Sequence, residues 1–208
     1  MMASRINKDS HSIMHLIEPG TRGAEIGVWW GNTAYNFFMK NLSFLYLVDP
    51  WSVEPYKGSS EFEWEEYLER YQKVTGSNTE EGFMAYYDKV FEDVSRRFDP
   101  YTNVSVCRQT SDEFFDDYRW MIENDRKSLL LDWIYIDGSH AYEGVMSDLK
   151  SSMKIVKPGG LILGDDYKWS GKHGKPAVTK AVKDFAQKNN LKVKRHGNVQ
   201  WEIKVPNK

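Results

Sequence analysis

The sequence predicts a doubly wound α/β fold with a Rossmann-like, mostly parallel sheet and helices on both faces. Short apolar segments such as 45–48 and 131–136 alternate along the chain with longer segments of helical periodicity, such as 142–156. This alternation is typical of parallel strands joined by crossover helices. Two short strand segments close the chain, at 191–194 and 200–204, with only a turn between them. They predict an antiparallel pair at the C-terminal edge of the sheet.

The individual elements follow from apolar spacing and from the residues that stop each run. In the 142–156 segment, Val145, Leu149, Met153 and Val156 recur at intervals of three or four residues. In chain order we predict strands at 23–28, 45–48, 104–106, 131–136 and 161–163 before the closing pair, and helices at 32–40, near 62–74, near 83–98, and at 111–123, 142–156 and 178–188. The apolar stretch 13–17 predicts a helix end, and 157–160 is expected to end the fifth crossover helix.

A chain of 208 residues fits one domain, so we assign 1–208 to a single unit. The segment 51–100 differs from the rest because it is rich in Glu, Tyr and Phe and separates two strands by about fifty residues. Ordinary crossovers are shorter. We interpret it as a helical insertion that covers the substrate as a lid. The alternative is an additional packed helix pair that contacts no ligand.

Composition excludes several classes of function. The 28 Lys and Arg residues nearly balance the 30 Asp and Glu residues, so charge does not favour a nucleic-acid partner. Cys107 is the only cysteine, which excludes an intramolecular disulfide and a zinc site built from cysteines. The sequence has no apolar run of about 18 residues and no signal-peptide core, so we expect a cytoplasmic protein without a membrane span.

The first candidate site is a glycine-containing turn between a strand and a helix, Glu25-Ile-Gly27-Val-Trp-Trp-Gly31. Glycine allows close approach of a ligand to the backbone, and a helix N-terminus offers free N–H groups. The spacing differs from the dinucleotide pattern Gly-x-Gly-x-x-Gly, which argues against a dehydrogenase. Taken alone, the motif also fits a tight turn with packing glycines.

The second candidate is Asp49, which follows the next strand and precedes Pro50. A carboxylate there can accept hydrogen bonds from both hydroxyls of a ribose. A glycine turn followed by a strand and an acid is the order that a nucleoside site on this fold requires. On its own, Asp49 would also fit a solvated loop.

The third candidate joins two further strand ends, Asp137-Gly-Ser-His140 and Gly164-Asp165-Asp166. Three carboxylates at adjacent strand ends repel one another when they are ionised, and a hard divalent cation relieves that repulsion. We therefore predict a Mg²⁺ site at Asp137, Asp165 and Asp166. Each Asp alone would also fit a turn or a helix cap.

These motifs, in this order, resemble class I S-adenosylmethionine-dependent methyltransferases. More narrowly, the stretches 135–149 and 157–167 resemble the metal-dependent sugar O-methyltransferases of macrolide and aminocoumarin biosynthesis and their cephalosporin-hydroxylase-like relatives. The resemblance implies a cofactor site of Glu25, Gly27, Gly31, Asp49, Ser111 and Asp137, with Ser111 near the adenine although Gln109 replaces the family's glycine. It implies Mg²⁺ at Asp137, Asp165 and Asp166, and His140 as general base beside Asp137. A homodimer is consistent with it.

The expected function is methylation of a hydroxyl on a small molecule or sugar, in which the metal activates the acceptor and His140 takes its proton. Two alternatives stay open: a metal-independent or nitrogen-directed methyltransferase of the same fold, and a non-catalytic nucleotide-binding module. Trp29 and Trp30 are expected to pack over the cofactor or to fill core. His173, which follows the acidic loop, is expected at the surface, with contact to the substrate as the alternative. His11, His15 and His196 are expected at the surface.

Overall fold

The computed structural model describes residues 12–57, 59, 63–124, 129–168 and 176–207. Seven strands lie within this part of the chain: β1 (Arg22–Ile26), β2 (Phe44–Asp49), β3 (Val104–Arg108), β4 (Leu131–Ile136), β5 (Val156–Gly164), β6 (Val193–His196) and β7 (Gln200–Lys204). They form one sheet in the order β3-β2-β1-β4-β5-β7-β6. β1 to β5 pair in parallel, and β7 pairs antiparallel with both β5 and β6. The predicted fold class is confirmed.

The sheet separates two apolar layers because successive residues of each strand face opposite sides. In β4, Ile134 and Ile136 belong to one layer, whereas Trp133 and Tyr135 belong to the other. The helices are α1 (Asn32–Phe38), α2 (Trp64–Thr75), α3 (Glu80–Phe98), α4 (Ser111–Asn124), α5 (Tyr142–Ile155) and α6 (Ala177–Lys188). α4, α5 and α6 supply buried residues to the first layer, and α1, α2 and α3 supply them to the second. Both faces of the sheet are therefore covered.

The parallel strands end level with one another, and this alignment creates the site. Ile26 at the end of β1 is in register with Val48 of β2 and with Ile136 of β4. Ile136 is in turn in register with Gly164, the last residue of β5. The residues that follow these positions therefore meet at one edge of the sheet, where ligands of open α/β sheets bind.

β5 is longer than predicted. The strand begins at Val156, so the stretch 157–160 lies within it instead of ending a helix. Leu131 pairs with Val156 and Trp133 pairs with Leu161, so the β5 backbone bulges between these two pairs. The bulge accommodates Pro158, which has no N–H to donate to a ladder. Gly160 fits there because a Cβ would lie 2.7 Å from the carbonyl oxygen of Asp132.

The segment 51–100 contributes to the core as well as to the sheet edge. α3 places Phe83, Val90, Val94 and Phe98 in the second apolar layer and forms the crossover between the parallel strands β2 and β3. α2 and the short 3-10 turn Glu54–Tyr56 lie before it in the chain.

The 13–17 stretch forms a 3-10 turn, Met14–Leu16, instead of a helix end. No helix in the described ranges is long and apolar enough to cross a membrane.

The expectation that His196 is a surface residue is wrong. His196 ends β6 and is buried, and its Nε2 lies 2.6 Å from Oε2 of Glu202 on β7. The antiparallel pairing of these strands brings the two residues together, because Arg195 is in register with Trp201 and His196 with Gln200. His15 is exposed, as expected, and its ring lies 5.6 Å from that of His196. His11 and His173 lie outside the described residues.

Candidate active site

A cavity of about 820 Å³ opens at the edge where the parallel strands end. Its wall includes the predicted residues Glu25, Gly27, Asp49, Ser111, Asp137, His140 and Asp166. Residues of β1 and β2 and the stretch that follows β4 line it, together with the first turns of α4 and α5 and with residues of the 51–100 segment. The topology therefore brings most of the sequence-predicted site into one space. Gly31 and Asp165 are not among the lining residues, but each is adjacent in the chain to a residue that is.

The turn after β1 is shaped by two glycines with left-handed backbone. Gly27 has φ +87°, and a Cβ there would lie 2.2 Å from the carbonyl oxygen of Asp137. Gly31 has φ +71° and caps the N-terminus of α1. Any side chain at position 27 would force the ends of β1 and β4 apart. The glycines thus allow the first turn to approach the Asp137 loop closely.

Asp49 fixes the backbone of this turn. Its Oδ2 accepts hydrogen bonds from the amides of Val28 at 3.0 Å and Trp29 at 2.9 Å, and its Oδ1 accepts one from Trp51 at 2.7 Å. Burial raises the pKa of Asp49, and the three amide bonds oppose that rise. A carboxylate has about four acceptor positions. Asp49 therefore holds the turn and keeps capacity for a ligand hydroxyl.

Glu25 is the opposite case, since it is buried without a full set of partners. The residue is 1% exposed, and its Oε2 has no hydrogen-bond partner. Burial raises the pKa of Glu25 well above its ordinary value, and the Asp137 and Asp49 carboxyls raise it further. A buried polar atom without a partner is rare in native proteins and costs free energy. Its position on the cavity wall marks a place where a ligand donor or cation would bind.

Asp137, His140 and Asp166 form a cluster that could hold a metal ion. Their potential ligand atoms all lie within 4.8 Å of one another, and Nε2 of His140 lies 2.7 Å from Oδ2 of Asp166. Burial raises the pKa of Asp137 well above its ordinary value. Asp165 and Asp166 raise it further, and His140 opposes them. Such mutual repulsion between carboxyls is relieved by a cation.

Asp165 was predicted to complete this cluster, but its carboxyl makes different contacts in the structure. Its Oδ2 accepts from the Tyr135 hydroxyl at 2.7 Å, and its Oδ1 accepts from the Asp166 amide at 2.8 Å. Gln200 donates to the same Tyr135 oxygen at 3.1 Å. Asp165 therefore lies behind the Asp137, His140 and Asp166 cluster, close enough to raise the pKa of Asp137. The assignment of Asp165 as a metal ligand stays a prediction.

Ser111 lines the cavity and is the first residue of α4. Its side chain lies near the carboxyl of Asp148, a residue on α5 that was not predicted from the sequence. Asp148 is 2% exposed and also lines the cavity. Burial raises its pKa to about 7. A signal was present in the sequence, because Asp148 lies in the apolar stripe of α5 between Val145 and Ser152, where all three are buried.

The charge of the cavity wall is one-sided. Seven of the described lining residues carry carboxyl groups, and none is Lys or Arg. They are Glu25, Asp49, Glu54, Asp112, Asp137, Asp148 and Asp166. A concave site lined by one sign of charge attracts ligands of the opposite sign. The cavity is therefore suited to a ligand that carries positive charge, to a metal cation, or to both.

Comparison with known proteins decides the family. Residues 24–167 match the family model described as a methyltransferase domain, which covers most of the chain and all three acidic strand ends. The chain belongs to the methyltransferase domain family. Asp49, Asp137 and the Asp165–Asp166 pair all fall within the matched region, as does the glycine turn. The methyltransferase domain thus contains the whole candidate site.

Solved structures agree on the fold. The methyltransferase domain is similar to the N-methyltransferase NodS of Bradyrhizobium japonicum WM9, with a TM-score of 0.57 and 11% identity over 99% of both chains. It is also similar to an O-methyltransferase of Bacillus cereus in complex with SAH, with a TM-score of 0.55 and 14% identity over 98% of this chain and 82% of that one. At these identities the likeness concerns the fold alone.

Among curated proteins, an uncharacterized protein of Acanthamoeba polyphaga mimivirus, R132, is 42% identical over 58 residues. The aligned stretch is 26% of this chain and 26% of that protein. The chain therefore spans about a quarter of this relative's length.

The aromatic wall of the methyltransferase cavity was not predicted residue by residue. Tyr56, Tyr67, Tyr71 and Tyr87, all from the 51–100 segment, line the cavity. Tyr56 stacks on Tyr67 at 4.3 Å between ring centroids, and the Tyr67 and Tyr87 hydroxyls are 2.6 Å apart. Glu- and Tyr-rich composition indicated an unusual segment but could not show which rings meet. We refer to these four tyrosines as the tyrosine wall.

Trp29 and Trp30 line the cavity and stack on each other, with ring centroids 4.5 Å apart. They are 38% and 43% exposed, so of the two expectations the core-filling one is wrong. Trp29 also meets Tyr71 of the tyrosine wall edge-on, and the Trp30 Nε1 donates to the Tyr86 hydroxyl at 2.6 Å. The tryptophan pair therefore joins the glycine turn to the 51–100 segment.

Proposed function

We propose that this methyltransferase domain transfers a methyl group from S-adenosylmethionine to a hydroxyl of a small molecule or sugar, assisted by a divalent cation such as Mg²⁺. The observation that carries the proposal is the cavity wall with seven carboxyls and no Lys or Arg among its described residues. S-adenosylmethionine brings a sulfonium and an ammonium, and Mg²⁺ brings two further positive charges. Both therefore fit the electrostatics of the cavity, whereas a nucleic-acid backbone would be repelled.

The residues at the β1 and β2 ends fit S-adenosylmethionine. The free Oε2 of Glu25 would accept from the ammonium of its methionine part. Asp49, which keeps one acceptor position, would accept from a ribose hydroxyl, and the turn at Gly27 and Gly31 would let the backbone approach the cofactor closely. When bound, the cofactor supplies a methyl group that its sulfonium activates for transfer to a nucleophile.

The residues at the β4 and β5 ends fit a divalent cation. Asp137 and Asp166 offer the oxygen ligands that Mg²⁺ prefers, and Asp165 lies directly behind them. When bound, such a cation would lower the pKa of an acceptor hydroxyl and orient it. Ionised carboxylates at Asp137 and Asp166 are required for this role. Burial raises the pKa of Asp137 and so disfavours ionisation. A bound cation would oppose this effect, because it favours the ionised carboxylates.

We assign to His140 the removal of the proton of the acceptor. Its Nε2 faces the Asp166 carboxylate at 2.7 Å, and the ring lines the cavity. A carboxylate beside an imidazole orients the ring and stabilises the imidazolium that forms when the ring accepts a proton. Once a hydroxylated acceptor is identified by screening, unchanged turnover in His140→Ala would exclude His140 as the base.

Calorimetric titration with S-adenosylhomocysteine (SAH) and, separately, with Mn²⁺ as a stand-in for Mg²⁺ tests the proposal. We expect Glu25→Gln to weaken SAH binding about 10- to 100-fold, because a charge-assisted hydrogen bond is lost. We expect Asp137→Asn to weaken Mn²⁺ binding by more than about 100-fold, because a direct ligand is lost. The exposed Asp116→Asn, on the outer side of α4, serves as the control and should change neither.

The outcomes separate the alternatives. Absence of SAH binding by the wild-type protein would overturn the methyltransferase proposal and favour a non-catalytic module. SAH binding together with no Mn²⁺ binding, and methyl transfer that survives EDTA, would leave cofactor binding standing and overturn the metal. Equal effects of Asp116→Asn and Asp137→Asn on Mn²⁺ binding would overturn the assignment of the metal to this cluster.

A further inference from the structure

Asp166, the acid that pairs with His140 in the proposed metal cluster, has a left-handed backbone with φ 54°. This conformation is uncommon for a residue with a side chain, although Asp and Asn adopt it more readily than most. It persists only where the surrounding structure holds it. The backbone conformation also determines where the Asp166 carboxyl lies, and its Oδ2 is 2.7 Å from Nε2 of His140. The contacts that hold the Asp166 backbone therefore determine the geometry of the cluster.

The preceding residue, Asp165, makes these contacts. Its Oδ1 accepts from the Asp166 amide at 2.8 Å, so the Asp165 side chain fixes the first peptide group of the left-handed turn. Its own backbone is fixed by Trp201 on β7, which is in register with Gly164 and donates from Nε1 to the Asp165 carbonyl oxygen at 2.9 Å. Asp165 is buried. The orientation of its carboxyl is therefore the remaining variable.

A buried hydrogen-bond network determines that orientation. The Tyr135 hydroxyl donates to Oδ2 of Asp165 at 2.7 Å, and Nε2 of Gln200 donates to the Tyr135 oxygen at 3.1 Å. Since an amide nitrogen can only donate, the single hydroxyl proton of Tyr135 is directed to Asp165. Gln200 is fixed in turn, because its Oε1 accepts from the Ser12 hydroxyl at 2.6 Å and from the Ile13 amide at 3.1 Å. Tyr135 and Gln200 are both fully buried.

We propose that Tyr135 and Gln200 are positioning residues for the metal cluster, which orient the Asp165 carboxyl so that it holds Asp166 in its left-handed conformation. The inference rests on the proposed use of a divalent cation at this cluster. Asp165 then acts through Asp166, in contrast to its predicted role as a direct ligand. Residues that orient metal ligands without touching the metal typically change metal affinity about 10- to 100-fold when they are replaced.

The two roles of Asp165 predict opposite effects of one substitution. Tyr135→Phe removes the hydroxyl and keeps the ring, which packs against Phe37 with ring centroids 5.2 Å apart. If Asp165 acts through Asp166, the substitution weakens metal binding, because the carboxyl loses the donor that orients it. If Asp165 is a ligand that Tyr135 holds away from the cation, the substitution frees the carboxyl and tightens metal binding.

Calorimetric titration with Mn²⁺ and, separately, with SAH measures both effects. We expect Tyr135→Phe to weaken Mn²⁺ binding about 10-fold, and Gln200→Met about 3-fold, while SAH binding changes less than about 2-fold. The double variant should weaken Mn²⁺ binding no more than Tyr135→Phe alone, because both substitutions interrupt the same network. The electron paramagnetic resonance spectrum of the bound Mn²⁺ should change in Tyr135→Phe, because the arrangement of the ligands changes.

Tyr118→Phe is the matched control. Tyr118 is fully buried in the other apolar layer, where its hydroxyl donates to the Leu129 carbonyl oxygen at 2.6 Å. Its substitution removes a buried hydroxyl far from the strand ends, so it should change neither the Mn²⁺ affinity nor the spectrum.

The outcomes separate positioning from general destabilisation. Mn²⁺ binding that is unchanged or tighter in Tyr135→Phe would overturn the inference and leave the proposed function intact. Equal losses of Mn²⁺ and SAH affinity, or the same loss in Tyr118→Phe, would show a structural role and would also overturn it. Additive losses in the double variant would overturn the single network. A wild-type protein that binds SAH but not Mn²⁺ would overturn the inference together with the proposed metal.

Discussion

The two sides of the cavity are built by different interactions. On the strand-end side, the backbone holds the charged groups in place, as when Asp49 accepts from the amides of Val28, Trp29 and Trp51. On the 51–100 side, the tyrosine wall is held by ring stacking and by one hydroxyl pair between Tyr67 and Tyr87. The first side is fixed by the topology of the sheet. The second depends on the packing of side chains and can change without a change of fold.

The largest effect is expected where the strand-end side is broken. Asp49→Ala would leave three amides without their acceptor, at a cost of about 1 kcal/mol each. We expect the free energy of unfolding to fall by about 3 kcal/mol, measured by urea denaturation. Asp49→Asn keeps one acceptor oxygen and should lose less. An Asp49→Ala protein as stable as the wild type would show that other contacts hold the turn. The strand-end side of the cavity would then not depend on hydrogen bonds between Asp49 and the backbone.

A smaller effect, with a pH signature, is expected at Asp148. Its pKa is raised by burial to about 7 in the folded protein, from an ordinary value of 3.8. The folded state therefore binds the proton more tightly than the unfolded chain, and stability falls as the pH rises from about 4 to about 7. Asn does not ionise, so without ligand Asp148→Asn should be more stable than the wild type above pH 7 by at least about 1 kcal/mol, the equivalent of one pKa unit. The gain should vanish towards pH 4.

Urea denaturation of wild-type protein and Asp148→Asn at pH 8 and at pH 5 measures this difference. Asp116→Asn, which changes an exposed acid, should show the same stability as the wild type at both values. A gain for Asp148→Asn that is equal at both pH values would contradict the assignment of the effect to ionisation of Asp148.

The smallest effect is expected in the tyrosine wall. Tyr67→Phe removes one of two paired hydroxyls and keeps the ring that stacks on Tyr56. We expect a loss of about 1 kcal/mol in the free energy of unfolding and no change in SAH affinity. Thermal denaturation and calorimetry measure the two quantities. A weakened SAH affinity would show that the tyrosine wall contributes to cofactor binding. The two sides of the cavity would then not differ in this respect.

The sequence predicted the strand-end side well for a physical reason. An acid or a glycine at the end of a buried strand, or directly after it, has its position determined by the strand, so the pattern that locates β1, β2 and β4 also locates Glu25, Asp49 and Asp137. The side-chain partners could not be predicted in this way. Asp165 and Asp166 are adjacent in sequence, yet one accepts from Tyr135 and the other pairs with His140.

Other features depended on contacts that a single segment does not contain. The extension of β5 through Pro158 depends on the bulge opposite Leu131 and Trp133, which pattern reading within 157–160 cannot show. The tyrosine wall depends on how α2 packs near α3, because Tyr67 and Tyr87 are twenty residues apart. Asp148 was detectable, since an acid within an apolar helical stripe indicates a buried carboxyl.

The turn after β1 has a further consequence for binding. Trp29 adopts a left-handed backbone with φ 46°, and five hydrogen bonds from outside the turn hold the stretch from Val28 to Gly31. Asp49, Trp51 and Arg97 provide them. The conformational entropy of this stretch is therefore lost during folding, before any ligand arrives. A ligand that meets an already ordered turn keeps more of its interaction energy as affinity.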